Sequence, residues 1–184
     1  FEARALAETI GDWIDADMNR RPQGAEDEFY TVLPSPYRAG NQNLASLSEL
    51  RAVKGVTREL YGTLKPYLCA APTEAPMKIN VNMLVESDAP VLAAALGEEG
   101  NVAGAADIIS GRPLGGYAKV EEFLAVPAIA KLGAAGAERF DVTSRYMRAR
   151  AEIVYDTAVL EMTSVLETGG GRARVLARRI GAEE

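Results

Sequence analysis

Apolar residues recur with a helical period at the start of this chain and with a period of two at its end. Between them, short helical runs alternate with turns. Leu6, Ile10, Trp13 and Ile14 stand at i, i+4, i+7 and i+8, with Ala3 and Ala7 beside them and Glu2, Arg4 and Glu8 elsewhere. That spacing predicts an amphipathic helix over residues 1–16. A polar run over residues 15–28, with Pro22 and Gly24, stops it near Asp17. An extended piece is expected at residues 29–33, then a loop through Pro34-Ser35-Pro36 and Gly40-Asn41.

Ser46-Leu47-Ser48-Glu49 has the form of a capping box, in which Ser46 accepts an orphan N–H and Glu49 reaches back. The helix it starts runs to Gly55, a residue suited to a left-handed terminus. Thr57 caps the next helix, with Leu60, Leu64 and Leu68 as its buried stripe and Pro66 shortening it. Asn82 is expected to cap a third helix, and Ser87 or Asp88 a fourth with Pro90 in its first turn. Further helices are expected at residues 102–109, 120–126 and 127–132. Residues 91–124 form a second hairpin-like unit, a weak internal repeat of the first.

Near residue 138 the period changes. Met147, Ala149, Ala151 and Ile153 alternate with Tyr146, Arg148, Arg150 and Glu152, and Leu160, Met162 and Leu166 repeat the alternation. Gly169-Gly170-Gly171 turns the chain into residues 172–180. Three consecutive strands make an antiparallel meander whose apolar face needs a lid, and the first helix is the candidate. The expected class is α+β, with an N-terminal helix and acidic loop (residues 1–30), an inserted all-α domain (31–137) and a β-meander (138–184).

Composition removes several functions. The 184 residues carry a net charge of −6 and a pI near 4.9, against the basic surface that phosphate neutralisation needs. Histidine is absent, which removes the commonest general base and transition-metal ligand together. The single Cys69 sits between Leu68 and Ala70-Ala71 and reads as a small core residue. No run reaches the ~20 apolar residues that span a bilayer. The chain opens at Phe1 already in helical pattern, without initiator Met or cap, which leaves room for a membrane anchor upstream.

Asp15, Asp17, Asn19 and Glu26 have the spacing of positions 1, 3, 5 and 12 of an EF-hand loop, with Arg20 where that loop needs glycine and no evident second helix after Glu26. A looser calcium site drawing on Asp15, Asp17, Asn19, Glu26, Asp27 or Glu28 competes with a solvated acidic loop, which stays slightly ahead. The hairpins suggest an alternative, a helix-hairpin-helix DNA-binding module, but Gly55-Val56-Thr57 lacks the second glycine and Gly97 precedes Glu98-Glu99. The adjacent pairs Glu98-Glu99 and Glu121-Glu122 point apart on a helix and read as solvated faces. No serine has a triad partner, so no enzyme is expected.

Asp12-Trp13-Ile14-Asp15-Ala16-Asp17, Gly24-Ala25-Glu26-Asp27-Glu28-Phe29-Tyr30, Asn41, Leu47-Ser48-Glu49-Leu50, Val53-Lys54-Gly55-Val56-Thr57 and Ile79-Asn80-Val81-Asn82 follow one another ahead of the closing strands. In that order and spacing the chain resembles the K-type minor pseudopilins of bacterial type II secretion systems over nearly its whole length. It departs from them at Met83-Leu84, where a small or polar pair is usual. The resemblance implies a pseudopilin fold, an N-terminal helix packed on a C-terminal antiparallel sheet with a large inserted helical domain. It further implies a non-enzymatic subunit at the pseudopilus tip, in a heterotrimer with I- and J-type minor pseudopilins that supports export of secreted substrates, and no nucleic-acid partner. Anchoring in the inner membrane through a pilin-like methylated N-terminal helix, a periplasmic location and association with calcium belong to the same expectation. Leu6, Ile10, Trp13 and Ile14 are the candidate partner-facing residues, shared with the protein's own core.

Overall fold

The computed structural model describes residues 3–70, 77–97, 100–130, 134–169 and 171–181. They fall into two compact units, residues 3–70 and 77–181.

The first unit opens with α1 (Ala3–Ile14), followed by a polar loop and α2 (Asp27–Tyr30). A 3₁₀ segment (Leu47–Ala52) and α3 (Arg58–Leu64) complete its helices. Its core is aromatic. Trp13 stands edge-on to Tyr30 at 5.1 Å, and Tyr37 lies 5.3 Å from Tyr30. Ala25, Ala39, Leu50 and Val53 close the cluster, and Ile10, Ile14, Phe29 and Val56 pack on it. Much of the α1 stripe therefore packs inside this unit. Lys54 donates its N–H to the Tyr30 hydroxyl at 3.3 Å and sets its ammonium 4.8 Å from the Phe29 ring.

Several expectations change here. Residues 27–30 form a helical turn rather than an extended piece, with Glu26 in extended backbone at its N-cap and Asp27 and Glu28 in its first turn. The Ser46 box forms, yet it opens a 3₁₀ segment. Gly55 adopts φ 84° as expected. Thr57 Oγ accepts the Leu60 N–H at 3.2 Å, and α3 yields to a 3₁₀ turn (Lys65–Tyr67) around Pro66. Leu68 is 38% exposed and Cys69 is exposed, so the expected stripe ends before them and Cys69 is no core residue. The Pro66 turn carries the chain off the helix path.

The second unit holds α4 (Ala89–Leu96), α5 (Val102–Ser110), α6 (Val120–Leu124) and α7 (Ala134–Ala137). Two short strands, β1 (Ile79–Asn80) and β2 (Phe140–Asp141), pair in parallel across this helical stretch. Leu92, Phe123, Ile129 and Phe140 are its largest fully buried side chains, and Phe123 packs between Tyr117 (5.5 Å) and Phe140 (5.1 Å). Where α4 meets α5, a Cβ at Gly100 would lie 1.9 Å from the Ala93 carbonyl oxygen, so the crossing needs glycine. Asn101 caps α5 through the Gly104 N–H at 2.7 Å. Asn82 caps no helix; its side chain joins Tyr117 and Val142 instead. Residues 127–130 form turns, and the remainder of the helix expected at 127–132 lies outside the described residues, as do Glu98 and Glu99.

The meander is as expected: β3 (Tyr146–Tyr155), β4 (Ala158–Gly169) and β5 (Arg172–Ile180) form an antiparallel sheet in the order β3-β4-β5. The register sets Met147 opposite Leu166, Ala151 opposite Met162 and Ile153 opposite Leu160, which places these apolar residues on one face. Glu152 opposite Glu161, and Glu167 opposite Tyr146 and Arg174, mark the charged face. An irregularity between Val165 and Leu166 leaves Leu176 as the extra residue of β5.

Candidate functional site

The acidic segment is organised by Asp12, a residue the sequence patterns did not single out. It lies fully buried on α1 and accepts both the backbone N–H and the guanidinium of Arg21. The same Arg21 nitrogen donates to Asp15 Oδ2. One cation thus folds the loop after α1 back along the helix. Gly24 passes so close that a Cβ there would lie 1.8 Å from Asp12 Oδ2. Glu8 accepts the Gln23 N–H at 2.7 Å and extends the seam. Its signals in the sequence were its place at the head of the matched stretch Asp12–Asp17 and its position three residues before Asp15, one turn away on the helix.

The fold-back returns Glu26 to the end of α1. Ligand oxygens of Asp15, Asp17 and Glu26 all lie within 4.8 Å of one another. Glu26 is fully buried, and neither of its carboxylate oxygens has a hydrogen-bond partner. Asp15 is half-committed: Oδ2 meets Arg21, while Oδ1 is buried without a partner. Asn19 is exposed and serves through its backbone, donating its N–H to Asp17 Oδ1 at 2.7 Å. Asp27 stands apart from the cluster, accepting the Ala39 N–H at 2.9 Å and pairing with Arg38 at 3.7 Å.

Electrostatics follow from this placement. Burial first, then repulsion from Asp12, Asp15, Glu28 and Asp17, pushes the Glu26 carboxyl up to about 7. Hydrogen bonds to Asp15 and Asp12 hold Arg21 charged even more firmly than usual. Burial raises the Tyr30 phenol to about 12. A buried carboxylate without donors must take a proton or a cation. Oxygen donors alone suit a hard ion such as calcium, which takes about 6–8 oxygens at about 2.3–2.6 Å. The donor set contains neither imidazole nor thiolate, the ligands that favour zinc. The residues present fit calcium.

The candidate partner-facing residues divide. Trp13 is 5% exposed, whereas Leu6, Ile10 and Ile14 are half-buried. No helix among the described residues is long and apolar enough to cross a membrane.

Two family models, both described as type II secretion system (T2SS), protein K, match residues 1–73 and 79–143. The chain is 34% identical to the type II secretion system protein K of Pectobacterium carotovorum subsp. carotovorum, over 97% of this chain and 55% of the relative. It is also 34% identical to that of Aeromonas hydrophila, over 100% of this chain and 56% of the relative. It therefore spans a little over half the length of the curated relatives it matches. Among solved structures, it matches a chain of the GspK-GspI-GspJ complex from the enterotoxigenic Escherichia coli type 2 secretion system. The TM-score is 0.83 at 30% identity, over 98% of this chain and 64% of that one. Together with the α+β architecture and the antiparallel C-terminal sheet, these matches make the chain a member of the type II secretion system protein K family.

Proposed function

We propose that this chain is part of a non-enzymatic assembly subunit that caps the tip of the type II secretion pseudopilus, in a heterotrimer with I- and J-type minor pseudopilins. The observation that carries the reading is the match along almost the whole chain to a protein solved within a three-component complex. In this reading the helices between residues 31 and 137 supply the bulk that blocks a further subunit, and the sheet of residues 138–184 supplies the pseudopilin layer. The fragment works in the periplasm, and the full-length protein is held in the inner membrane. Half-buried Leu6, Ile10 and Ile14 are the candidate apolar anchors towards partner subunits, with Trp13 supporting them from the core.

Calcium belongs to the same proposal. Asp15, Asp17 and Glu26 are its ligands, and Asn19 holds Asp17 in place. Buried, partnerless oxygens on Asp15 and Glu26 support this. The ion ties the end of α1 to the start of α2 by offsetting carboxylate repulsion, and its role is structural.

The assembly reading is tested by mixing the purified chain with soluble I- and J-type domains from the same organism at micromolar concentration. A 1:1:1 complex by light scattering on size exclusion is expected, and three separate peaks would overturn it. The metal reading is tested by thermal melting with calcium and with chelator, since an ion bound only to the folded state must raise the midpoint. Equal midpoints would remove the metal.

A further inference from the structure

Among the described residues, β5 is a sheet edge with β4 as its one pairing partner. Its outward backbone donors and acceptors are therefore open to a further strand. The side chains along that edge are one-sided in charge. Arg172, Arg174, Arg178 and Arg179 stand among nine residues with no carboxylate, in a chain of net charge −6. Register sorts them by face. Arg174 opposite Glu167 and Arg179 opposite Thr163 share the charged face, and Arg172 alternates with Arg174 onto it. Val175 opposite Leu166 and Ile180 opposite Met162 lie on the apolar face, 46% and 66% exposed. Arg178 turns in to Ser164 Oγ at 3.4 Å. Arg172 and Arg179 are exposed and make no ion pair among the described residues. How this face holds a carboxylate is visible at Glu167, which Arg145 and Arg174 grip from either side at 2.8 and 2.7 Å.

An open edge invites strand pairing, and its charges decide with what. Two copies of β5 side by side would set arginine against arginine. Pairing with β3 of a second copy would bring Arg148 and Arg150 into the same repulsion. A strand that alternates carboxylates with apolar residues meets the opposite. Its acidic face lies against Arg172, Arg174 and Arg179, while its apolar face extends Val175 and Ile180. No lysine occurs on β3, β4 or β5, and the guanidinium fork suits carboxylates better than an ammonium does. We propose that β5 is a docking edge for an extended acidic segment of another protein, which adds to the sheet as a fourth strand. The edge belongs to a different unit from the α1 anchors, and this contact is additional to theirs. Backbone pairing supplies the affinity, and the arginines choose the partner.

The test uses the whole chain and an end-blocked peptide of alternating valine and glutamate, as long as β5. At low salt, anisotropy of the labelled peptide should show saturable binding. Hydrogen exchange should then slow at the outward amides of residues 172–180. Charge reversal in the double variant Arg172→Glu/Arg179→Glu, at two exposed side chains, should weaken binding by roughly tenfold or more. A peptide N-methylated throughout keeps the charges but has no donors, and should give no protection. A valine–lysine peptide should not bind. Equal binding of the N-methylated peptide would overturn strand addition, and equal binding of the lysine peptide would overturn the choice of an acidic partner. No binding of the valine–glutamate peptide would overturn both. A concentration-dependent dimer of the chain alone, with residues 172–180 protected, would assign the edge to a second copy instead.

Discussion

The Asn82 side chain clasps the backbone of Tyr117 from both sides, donating to its carbonyl at 2.9 Å and accepting its N–H at 2.8 Å. It also reaches the Val142 carbonyl at 3.4 Å. Asn80 steadies this clasp, accepting the Asn82 N–H at 3.0 Å and donating to Ser144 Oγ at 2.9 Å. One amide thus joins three distant stretches of the second unit. Asn82→Ala would leave the partly buried backbone groups of Tyr117 unpaired, at about 1–3 kcal/mol. Urea unfolding of Asn82→Ala should show a lower midpoint with an unchanged slope. Asn82→Asp keeps the acceptor alone and should fall between alanine and wild type. Equal stability of all three proteins would mean that solvent replaces the clasp at no cost.

Glu26 gives a pH dependence with a definite sign. In the ion-free folded chain its carboxyl is raised to about 7, against 4.5 for an ordinary glutamate. Between those values the folded state holds a proton that the unfolded state has released. Stability therefore falls as pH rises from about 4.5 to about 7, by roughly 3 kcal/mol in total, and levels off above. Glu26→Gln removes this contribution, so in chelator at pH 8 it should be more stable than wild type, with the difference vanishing near pH 4.5. Denaturant melts at the two pH values measure it, and an equal difference at both would sink the argument.

Arg21 is the internal counter-charge of the seam. It pairs with Asp12, which is fully buried, and with Asp15. Arg21→Met keeps the aliphatic stem and strands both carboxylates, and a buried charge that loses its partner costs about 3–5 kcal/mol. The guanidinium is partly exposed, so solvent screening makes the expected loss in chelator smaller than that of a fully buried pair. Asp12→Asn should recover part of the loss in the double variant, because it removes the stranded charge. A double variant no more stable than Arg21→Met alone would show that the charge pair is not what holds the loop.

Much of the fold was legible because local rules acted alone. The period-two alternation of residues 146–166 specifies the sheet, and Ser46, Thr57 and Gly55 stop or start helices by their own side-chain or backbone chemistry. The misses came from long-range partners. Asn82 looks like a helix cap, and becomes a clasp only when residue 117 arrives beside it. The parallel pairing of Ile79–Asn80 with Phe140–Asp141 joins segments 61 residues apart and is too short to carry a periodic signal. At the candidate site, the spacing of Asp15, Asp17 and Glu26 was readable. Asp12 and Arg21 were not, because their roles depend on the loop folding back over α1.

Two glycines should respond oppositely to the same change. Gly62 lies within α3, and a Cβ added there would meet nothing within 4 Å. Gly62→Ala lowers the entropy of the unfolded chain and improves helix propensity, and should stabilise the first unit by about 0.5–1 kcal/mol. A Cβ at Gly100 would stand 1.9 Å from the Ala93 carbonyl oxygen and 3.0 Å from Leu96 Cβ. Those are backbone and core atoms of α4, which cannot swing aside as a flexible side chain would. Gly100→Ala must push α5 away from α4 and should destabilise the second unit by at least about 2 kcal/mol. Hydrogen exchange resolved by segment reads the two effects separately: slower exchange in residues 58–64 for the first variant, faster exchange in residues 89–110 for the second. Faster exchange confined to the first unit in Gly100→Ala would contradict the close α4–α5 crossing.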